Sequence, residues 1–270
     1  MAELKALEAD TLVYLSIGRQ PVATVWRNVA FLKLCGFRRI IGAPLTNALA
    51  NPRLVDPATG EVEREAERLA RCLAPLGPID LKDPSQWDLR LTPAEHAAAA
   101  KFLSGISGDF IAVNTGGKEP KKDWGDPNWR ALLGALVDRV RLPIVFVGDA
   151  SDAQRAAALE QAWPWGALNA CGVLSPRECG ALLARARIFV GHDSGPLHLA
   201  AVSGTACVGL FGGFEPPRRW HPFGAHHRIL HGRTSVLDVS VEDAASAVND
   251  LLLPGRGPTL NAAPSQGPAL

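Results

Sequence analysis

Val190-Gly-His-Asp-Ser-Gly-Pro-Leu-His-Leu-Ala-Ala201 changes character at its middle. Ile188 to Gly191 is a short apolar run that reads as a buried strand ending in glycine. Asp193 and Ser194 are residue types favoured at a helix N-cap, Gly195 allows close approach to the backbone, and Pro196 suits a first helical turn. Leu197, Leu199, Ala200 and Ala201 then continue a helix. Open α/β sheets bind ligands at such places, beyond the carboxyl ends of their strands. Unpaired amides and the positive end of the helix dipole favour phosphate there, and His198, one turn further on, is placed to meet the same anion. Two other readings stand beside this one. Asp193 can simply cap its own helix, or Ser194 can be a nucleophile; the order Gly-His-Asp-Ser-Gly departs from the G-x-S-x-G elbow and weighs against hydrolase chemistry.

The same rhythm extends on both sides. Strands are expected at Phe110 to Asn114, Pro143 to Val147, Ile188 to Gly191, Cys207 to Phe211 and, more weakly, Arg228 to His231. Helices are expected at Pro127 to Val140, Asp152 to Trp163, Pro176 to Ala186, Pro196 to Ser203 and Val241 to Leu252. Continuous apolar strands separated by helices imply a doubly wound parallel sheet covered on both faces. Three more strand exits carry chemistry. After Asn114, Thr115, Gly116 and Gly117 can present amides to phosphate, and Lys118, Lys121 and Lys122 can supply positive charge; without a terminal G-K-[ST] this is no Walker A loop, and an exposed basic loop is the plain alternative. After Phe146, Asp149 and Asp152 stand where such folds place an acid for ribose hydroxyls, although Ser151 or Asp152 can equally cap the next helix. After Phe211, a glycine turn leads to Arg218, Arg219 and His221, candidates for phosphate or sugar. His221, His226, His227 and His231 follow no metal-ligand spacing.

Before residue 106 the pattern is sparser. Thr11 to Ile17, Val22 to Cys35 and Arg38 to Gly42 read as strand, helix and strand, a parallel unit. Thr46 to Gly60 reads as a loop, Glu61 to Leu76 as an amphipathic helix, and Gly77 to Leu91 as an extended linker. Thr92-Pro-Ala-Glu95 is a capping box opening another helix. The expected division is a partial α/β domain with linker over 1–105, a nucleotide-binding domain over 106–253, and a disordered tail over 254–270.

Bulk properties narrow the function. Of the 270 residues 47% are hydrophobic, enough for a sizeable core, and a net charge of +1 gives no electrostatic footprint for nucleic acid. Five scattered cysteines without a C-x-x-C pair read as buried free thiols in a reducing compartment. Met1 to Asp10 lacks the apolar core of a secretory signal, and no run approaches the roughly 20 apolar residues of a membrane span. The expectation is a soluble cytoplasmic protein, with room for a peripheral contact with the inner membrane.

Together the four strand exits resemble glycosyltransferase family nine, the ADP-heptose:lipopolysaccharide heptosyltransferases. The D-[ST]-G-x-x-H-L-A-A core is met by Asp193 to Ala201, the following L-F-G by Leu210 to Gly212, and the K-x-W-p-x-x-x-W element by Lys122, Trp124 and Trp129. The resemblance spans about Asp10 to Leu252 and is strongest from Phe110 onward. Tyr14-Leu15-Ser16, Arg19 and Phe31 to Gly42 look like the later part of the family's N-terminal domain.

The resemblance implies a GT-B fold, two Rossmann-like domains with the donor nucleotide on the C-terminal one. It implies an inverting, metal-independent transfer of heptose from an ADP-activated donor to a lipopolysaccharide inner-core or related glycan acceptor, without a cofactor. Carried over by motif, Lys122 neutralises the leaving diphosphate and Asp152 takes ribose. Asp193, Ser194, Gly195 and His198 hold phosphate and nearby sugar; Thr115 and Gly116 join the expected donor site on the residue reading of their loop. The family opens with a strand, a glycine turn and an aspartate that serves as base. Nothing before Thr11 matches that segment, so no catalytic base is assigned and the N-terminal domain is expected in part only. Two alternatives remain open: a nucleotide-diphosphate-binding fragment without transfer activity, and another GT-B activity such as a nucleotide-sugar epimerase.

Overall fold

The computed structural model describes residues 2–17, 20–117, 119–224 and 226–253. Arg19, Lys118 and the 254–270 tail lie outside these residues. The chain divides into two compact units: one up to Gln86 joined by Glu215–His221, the other Trp87–Phe214 and from Pro222 onward.

The first unit contains α1 (Ala2–Lys5), β1 (Thr11–Val13), α2 (Val22–Leu34), β2 (Arg39–Ile41), α3 (Asn47–Ala50), β3 (Leu54–Asp56), β4 (Glu61–Val62) and α4 (Glu65–Cys72). β1 and β2 pair in parallel around the α2 crossover, as their spacing implied. The stretch expected as a loop, Thr46 to Gly60, instead holds the α3 turn, capped by Thr46, and the first arm of an antiparallel hairpin. The helix expected from Glu61 begins at Glu65, because Glu61 and Val62 form the second arm. Pro57, Ala58, Thr59 and Gly60 make the turn, with Gly60 at φ +72°, a backbone region glycine enters freely.

Segment Glu215–His221 closes this unit. The Val62 and Glu65 amides donate to the carbonyls of Pro217 and Arg219. Arg218 bonds Glu67 at 2.8 Å, and the buried Arg219 lies 3.0 Å from Glu215 and 3.5 Å from Glu65. Arg68, fully buried, binds Glu65 and the carbonyls of Leu49 and Ser16. Buried guanidiniums are tolerated because each meets a carboxylate and further acceptors.

In the second unit α5 (Pro93–Phe102) precedes β5 (Ile111–Asn114), α6 (Asp126–Leu136), β6 (Ile144–Phe146), α7 (Ala153–Glu160), β7 (Ala167–Asn169), α8 (Pro176–Leu183), β8 (Ile188–His192), α9 (Gly195–Val202), β9 (Cys207–Phe211), β10 (Arg228–His231) and α10 (Val241–Leu252). All five strands expected from the sequence are present. β7, short and lacking β-branched residues, extends the sheet by one. The order is β10-β9-β8-β5-β6-β7, parallel throughout. From β5 the chain winds outward through β6 to β7, then returns to the other side of β5 and winds outward again through β8, β9 and β10. The reversal lies between β5 and β8, and such a switch point opens a crevice at the carboxyl ends of its strands.

Alternate residues of the central strands (Ile111, Val113, Ile144, Phe146, Ile188, Val190, Val208, Leu210) pack with Trp129, Leu132, Leu133, Leu136, Val248 and Leu251 of α6 and α10. α9 lies against β8 and β9, and α8 lies between α9 and α5. At Gly209 a Cβ would come within 2.9 Å of the Phe211 ring and 3.3 Å of Leu197, so glycine lets α9 settle on β9. Four of the five cysteines are buried and all are free thiols. Among the described residues no helix is long and apolar enough to cross a membrane.

α5 is held at its start by a reciprocal box, Thr92 accepting from the Glu95 amide and Glu95 from the Thr92 amide. Arg177 of α8 grips the same Glu95. Thr92→Ala removes the hydroxyl half of the box and should lower unfolding free energy by about 1 kcal/mol, read as a lower urea midpoint with an unchanged slope.

Candidate functional site

The crevice at the switch point collects most of the residues singled out by sequence. Asn114 ends β5 and is paired in register with Gly191 of β8. Its side-chain amide donates to the Val147 carbonyl at 2.8 Å, and its oxygen accepts from the Ser194 hydroxyl at 3.0 Å. Ser194 holds the N-cap position of α9 yet makes no capping bond to the helix. Its hydroxyl instead ties the start of α9 to the end of β5. First-turn amides of a helix have no partner within it, and a Cβ built on Gly195 would meet nothing within 4 Å. The start of α9 therefore offers amide donors, a favourable dipole and open space, the combination that suits phosphate oxygens.

Lys122 reaches this place from the β5–α6 crossover. Its Nζ lies 2.8 Å from Asp193 Oδ2 and 3.3 Å from the Asp193 carbonyl, while Glu119 stands further off at 3.8 Å. His198 Nε2 is 3.8 Å from the other Asp193 oxygen. Asp193 is 6% exposed. Burial pushes its carboxyl upward, but the nearby His198 ring and the hydrogen-bonded Lys122 ammonium outweigh that and hold it below the ordinary value. The ring of Phe214, just past β9, lies 4.5 Å from Lys121 and 5.9 Å from Lys122, within cation–π range.

Asp152 approaches from the β6–α7 turn. Its Oδ2 accepts the Asp149 amide at 3.0 Å. A Cβ on Gly116 would fall 1.9 Å from this carboxylate and one on Gly148 2.2 Å from it, so two glycines make the space that Asp152 occupies. Burial foremost raises its proton affinity; the Asp149 amide opposes this, and the charges of Asp149 and Asp123 reinforce it. The carboxylate thus sits at the crevice in an environment that disfavours its charge, a pattern common at functional sites.

Thr115, Gly116, Lys122, Asp152, Asp193, Ser194, Gly195 and His198 all lie beyond the carboxyl ends of the adjacent strands β5, β6 and β8. Arg218, Arg219 and His221 belong to the first unit, where both arginines face glutamates. Among the described residues no group of His, Cys, Asp and Glu side chains stands together as a metal-binding set.

Three residues with strong contacts carried no assignment in the sequence. Asn114 joins three segments, as above. His192, fully buried, accepts the Trp124 amide at Nε2 (3.0 Å), and its Nδ1 lies 3.1 Å from the Gly116 carbonyl. Arg155 of α7 donates to the Thr115 carbonyl at 2.7 Å and clasps Asp123 with both terminal nitrogens, at 3.0 and 2.7 Å. Their partners lie 29 to 80 residues away in sequence, and only the position of His192, directly before Asp193 at a strand end, was a signal.

The profile of glycosyltransferase family 9 (heptosyltransferase) matches residues 3–244. Lipopolysaccharide heptosyltransferase 3 of Escherichia coli is 26% identical over 131 residues, 48% of this chain and 36% of that protein. The match thus spans about a third of that relative's length. A family 9 glycosyl transferase from Veillonella parvula superposes with a TM-score of 0.68 at 19% identity, over 93% of this chain and 76% of that one. E. coli ADP-heptose lipopolysaccharide heptosyltransferase II gives 0.64 at 20% identity, over 92% and 78%. These structural likenesses establish a GT-B type fold.

The raised proton affinity of Asp152 has a measurable consequence. Its ionised form costs the folded protein stability once pH exceeds its folded-state pKa, and nothing below the ordinary value of 3.8. Asp152→Asn keeps an acceptor for the Asp149 amide and removes the charge. It should therefore raise the melting temperature at pH 7, with the gain vanishing as pH falls below about 4; a neutral or lower melting temperature at pH 7 would contradict the assignment.

Proposed function

The chain belongs to glycosyltransferase family 9, and from that premise we propose that it transfers a heptose from an ADP-activated donor to a lipopolysaccharide inner-core acceptor. The transfer inverts the anomeric centre and uses no metal. The observation that carries this reading is the placement of the Lys122 ammonium beside Asp193 at the start of α9, where a diphosphate would meet a cation and helix amides together.

Transfer at an anomeric carbon breaks the bond from that carbon to the β-phosphate oxygen and forms one to the acceptor oxygen. Positive charge develops on the sugar and negative charge on the departing ADP. Lys122 and the α9 amides would stabilise that negative charge, and a preorganised donor of this kind is worth about 3 kcal/mol in the transition state. Asp193 stands where it orients Lys122, and His198 lies one turn in, beside the same carboxylate. Gly195 leaves room for the phosphates. Ser194 contributes through the α9 backbone, since its hydroxyl is engaged by Asn114. Thr115 and Gly116 would border the diphosphate, and Asp152 would accept the ribose hydroxyls. The acceptor proton must pass to a base, for which no residue is assigned. A lipid-borne acceptor would bring the protein to the inner membrane from the cytoplasmic side as a peripheral visitor.

ADP should raise the melting temperature, by the equivalent of about 2.7 kcal/mol at a hundredfold excess over its Kd. Lys122→Ala should weaken ADP binding by about 10- to 100-fold, the range for one charge-assisted hydrogen bond. Calorimetric titration reads both. No binding of millimolar ADP by the folded wild-type protein would overturn the proposal, and ADP binding without transfer from ADP-heptose to a core acceptor would reduce the chain to a binding module.

A further inference from the structure

The loop that carries Lys122 is closed at its neck twice over. Its incoming strand ends at Asn114 and its outgoing helix begins at Asp126. On one side the His192 imidazole lies between the two halves of the neck. The Trp124 amide donates to Nε2 at 3.0 Å, so Nε2 is unprotonated and Nδ1 carries the hydrogen that it donates to the Gly116 carbonyl at 3.1 Å. On the other side Arg155 joins the Thr115 carbonyl to the Asp123 carboxylate and reaches Asp126 at 2.6 Å. Each clamp thus takes one partner from residues 115–116 and one from 123–124.

Several observations separate His192 from an ordinary core residue. Both ring nitrogens are satisfied, and both partners are backbone groups of a single loop. The Trp129 ring meets it edge-on at 5.2 Å, fixing the plane of the imidazole. Burial, foremost, lowers its proton affinity, which preserves the neutral form these two bonds require. His192 also directly precedes Asp193, the partner of Lys122. One β8 terminus therefore sets both the lysine's carboxylate partner and the neck of the lysine's loop.

We propose that His192, with Arg155 as its counterpart, is a positioning residue that ties Gly116 to Trp124 so that Lys122 stands ready for the donor's diphosphate. The inference rests on the proposed nucleotide site and adds a residue that acts through Lys122 rather than on the ligand. A loop held in this way loses little entropy when it engages the diphosphate, so affinity comes from preorganisation.

The test is a set of His192 variants titrated with ADP. Gln reaches about as far as Nε2 and offers Trp124 an acceptor. Asn reaches about as far as Nδ1 and offers Gly116 a donor. Leu offers neither. Because the Trp124 anchor lies two residues from Lys122, affinity should fall in the order wild type, His192→Gln, His192→Asn, His192→Leu, with the last weakened at least tenfold. In a Lys122→Ala background the same His192 substitutions should change affinity less than twofold, because the group they position is gone. Near-ultraviolet circular dichroism selects the variants that keep the native fold; the two amide variants carry the test if His192→Leu does not. Affinities within twofold of wild type for the folded variants, or equal losses with and without Lys122, overturn the positioning role while leaving the nucleotide site standing. Failure of the wild-type protein to bind ADP removes both together.

Discussion

An almost wholly buried carboxylate cannot remain ionised without a partner. Asp193 is placed at the carboxyl edge of a parallel sheet, beside the start of a helix, where isolation from water would push it toward protonation. Lys122 at 2.8 Å prevents this, with His198 on the other oxygen. The pair constrains everything near it. The crossover after β5 must fold back over the sheet edge, the end of β8 must present Asp193 to it, and α9 must begin immediately afterwards. Breaking a buried pair by removing one partner is far more damaging than never having built it, so these segments are tied to one arrangement.

The sheet order makes that arrangement available. In any parallel sheet neighbouring strands end side by side, but their crossovers usually turn the same way. Between β5 and β8 they turn apart, leaving the strand exits at 115 and 193 facing one another. Asn114 and Ser194 exploit the gap, joining β5, the β6 exit at Val147 and the α9 start through two hydrogen bonds. The Asn114 side chain and the Ser194 hydroxyl are thereby satisfied, while the first-turn amides of α9 have no partner within the helix. Ser194 shows the division: a residue type suited to capping has its hydroxyl turned to Asn114, so the dipole end of α9 is left uncapped by that side chain.

Legibility in the sequence follows the range of the interactions involved. Features decided within a few residues were plain: Pro196 at the first turn of α9, the Thr92–Glu95 box, and the apolar runs that became β5, β6, β8 and β9. The hairpin of β3 and β4 was missed because its arms are only three and two residues long, too short to show alternation, although Thr59-Gly60 marked the turn. β7 was missed because Ala167-Leu-Asn169 carries no β-branched residue and gains its place from pairing with β6. At the site, the types and spacing of residues 115–122 and 193–198 pointed to phosphate. The side chains that organise them did not stand out, because Asn114, Arg155 and His192 act on backbone groups whose positions are fixed only by tertiary folding.

This division between groups that would meet a ligand and groups that hold them explains the charge balance of the crevice. Before any ligand arrives, Lys122 is already neutralised by Asp193, and Arg155 by Asp123 and Asp126. A diphosphate approaching Lys122 therefore meets an ammonium whose carboxylate partner remains beside it, and attraction by the lysine alone is weakened. The first-turn amides of α9 also stand near Asp193, but their partial positive charge does not depend on protonation. Lys122 supplies a directed hydrogen bond and the helix start supplies backbone donors. On the proposed reading the two act together, and the His192 and Arg155 contacts hold the stretch that carries the lysine to the strand that leads into the helix.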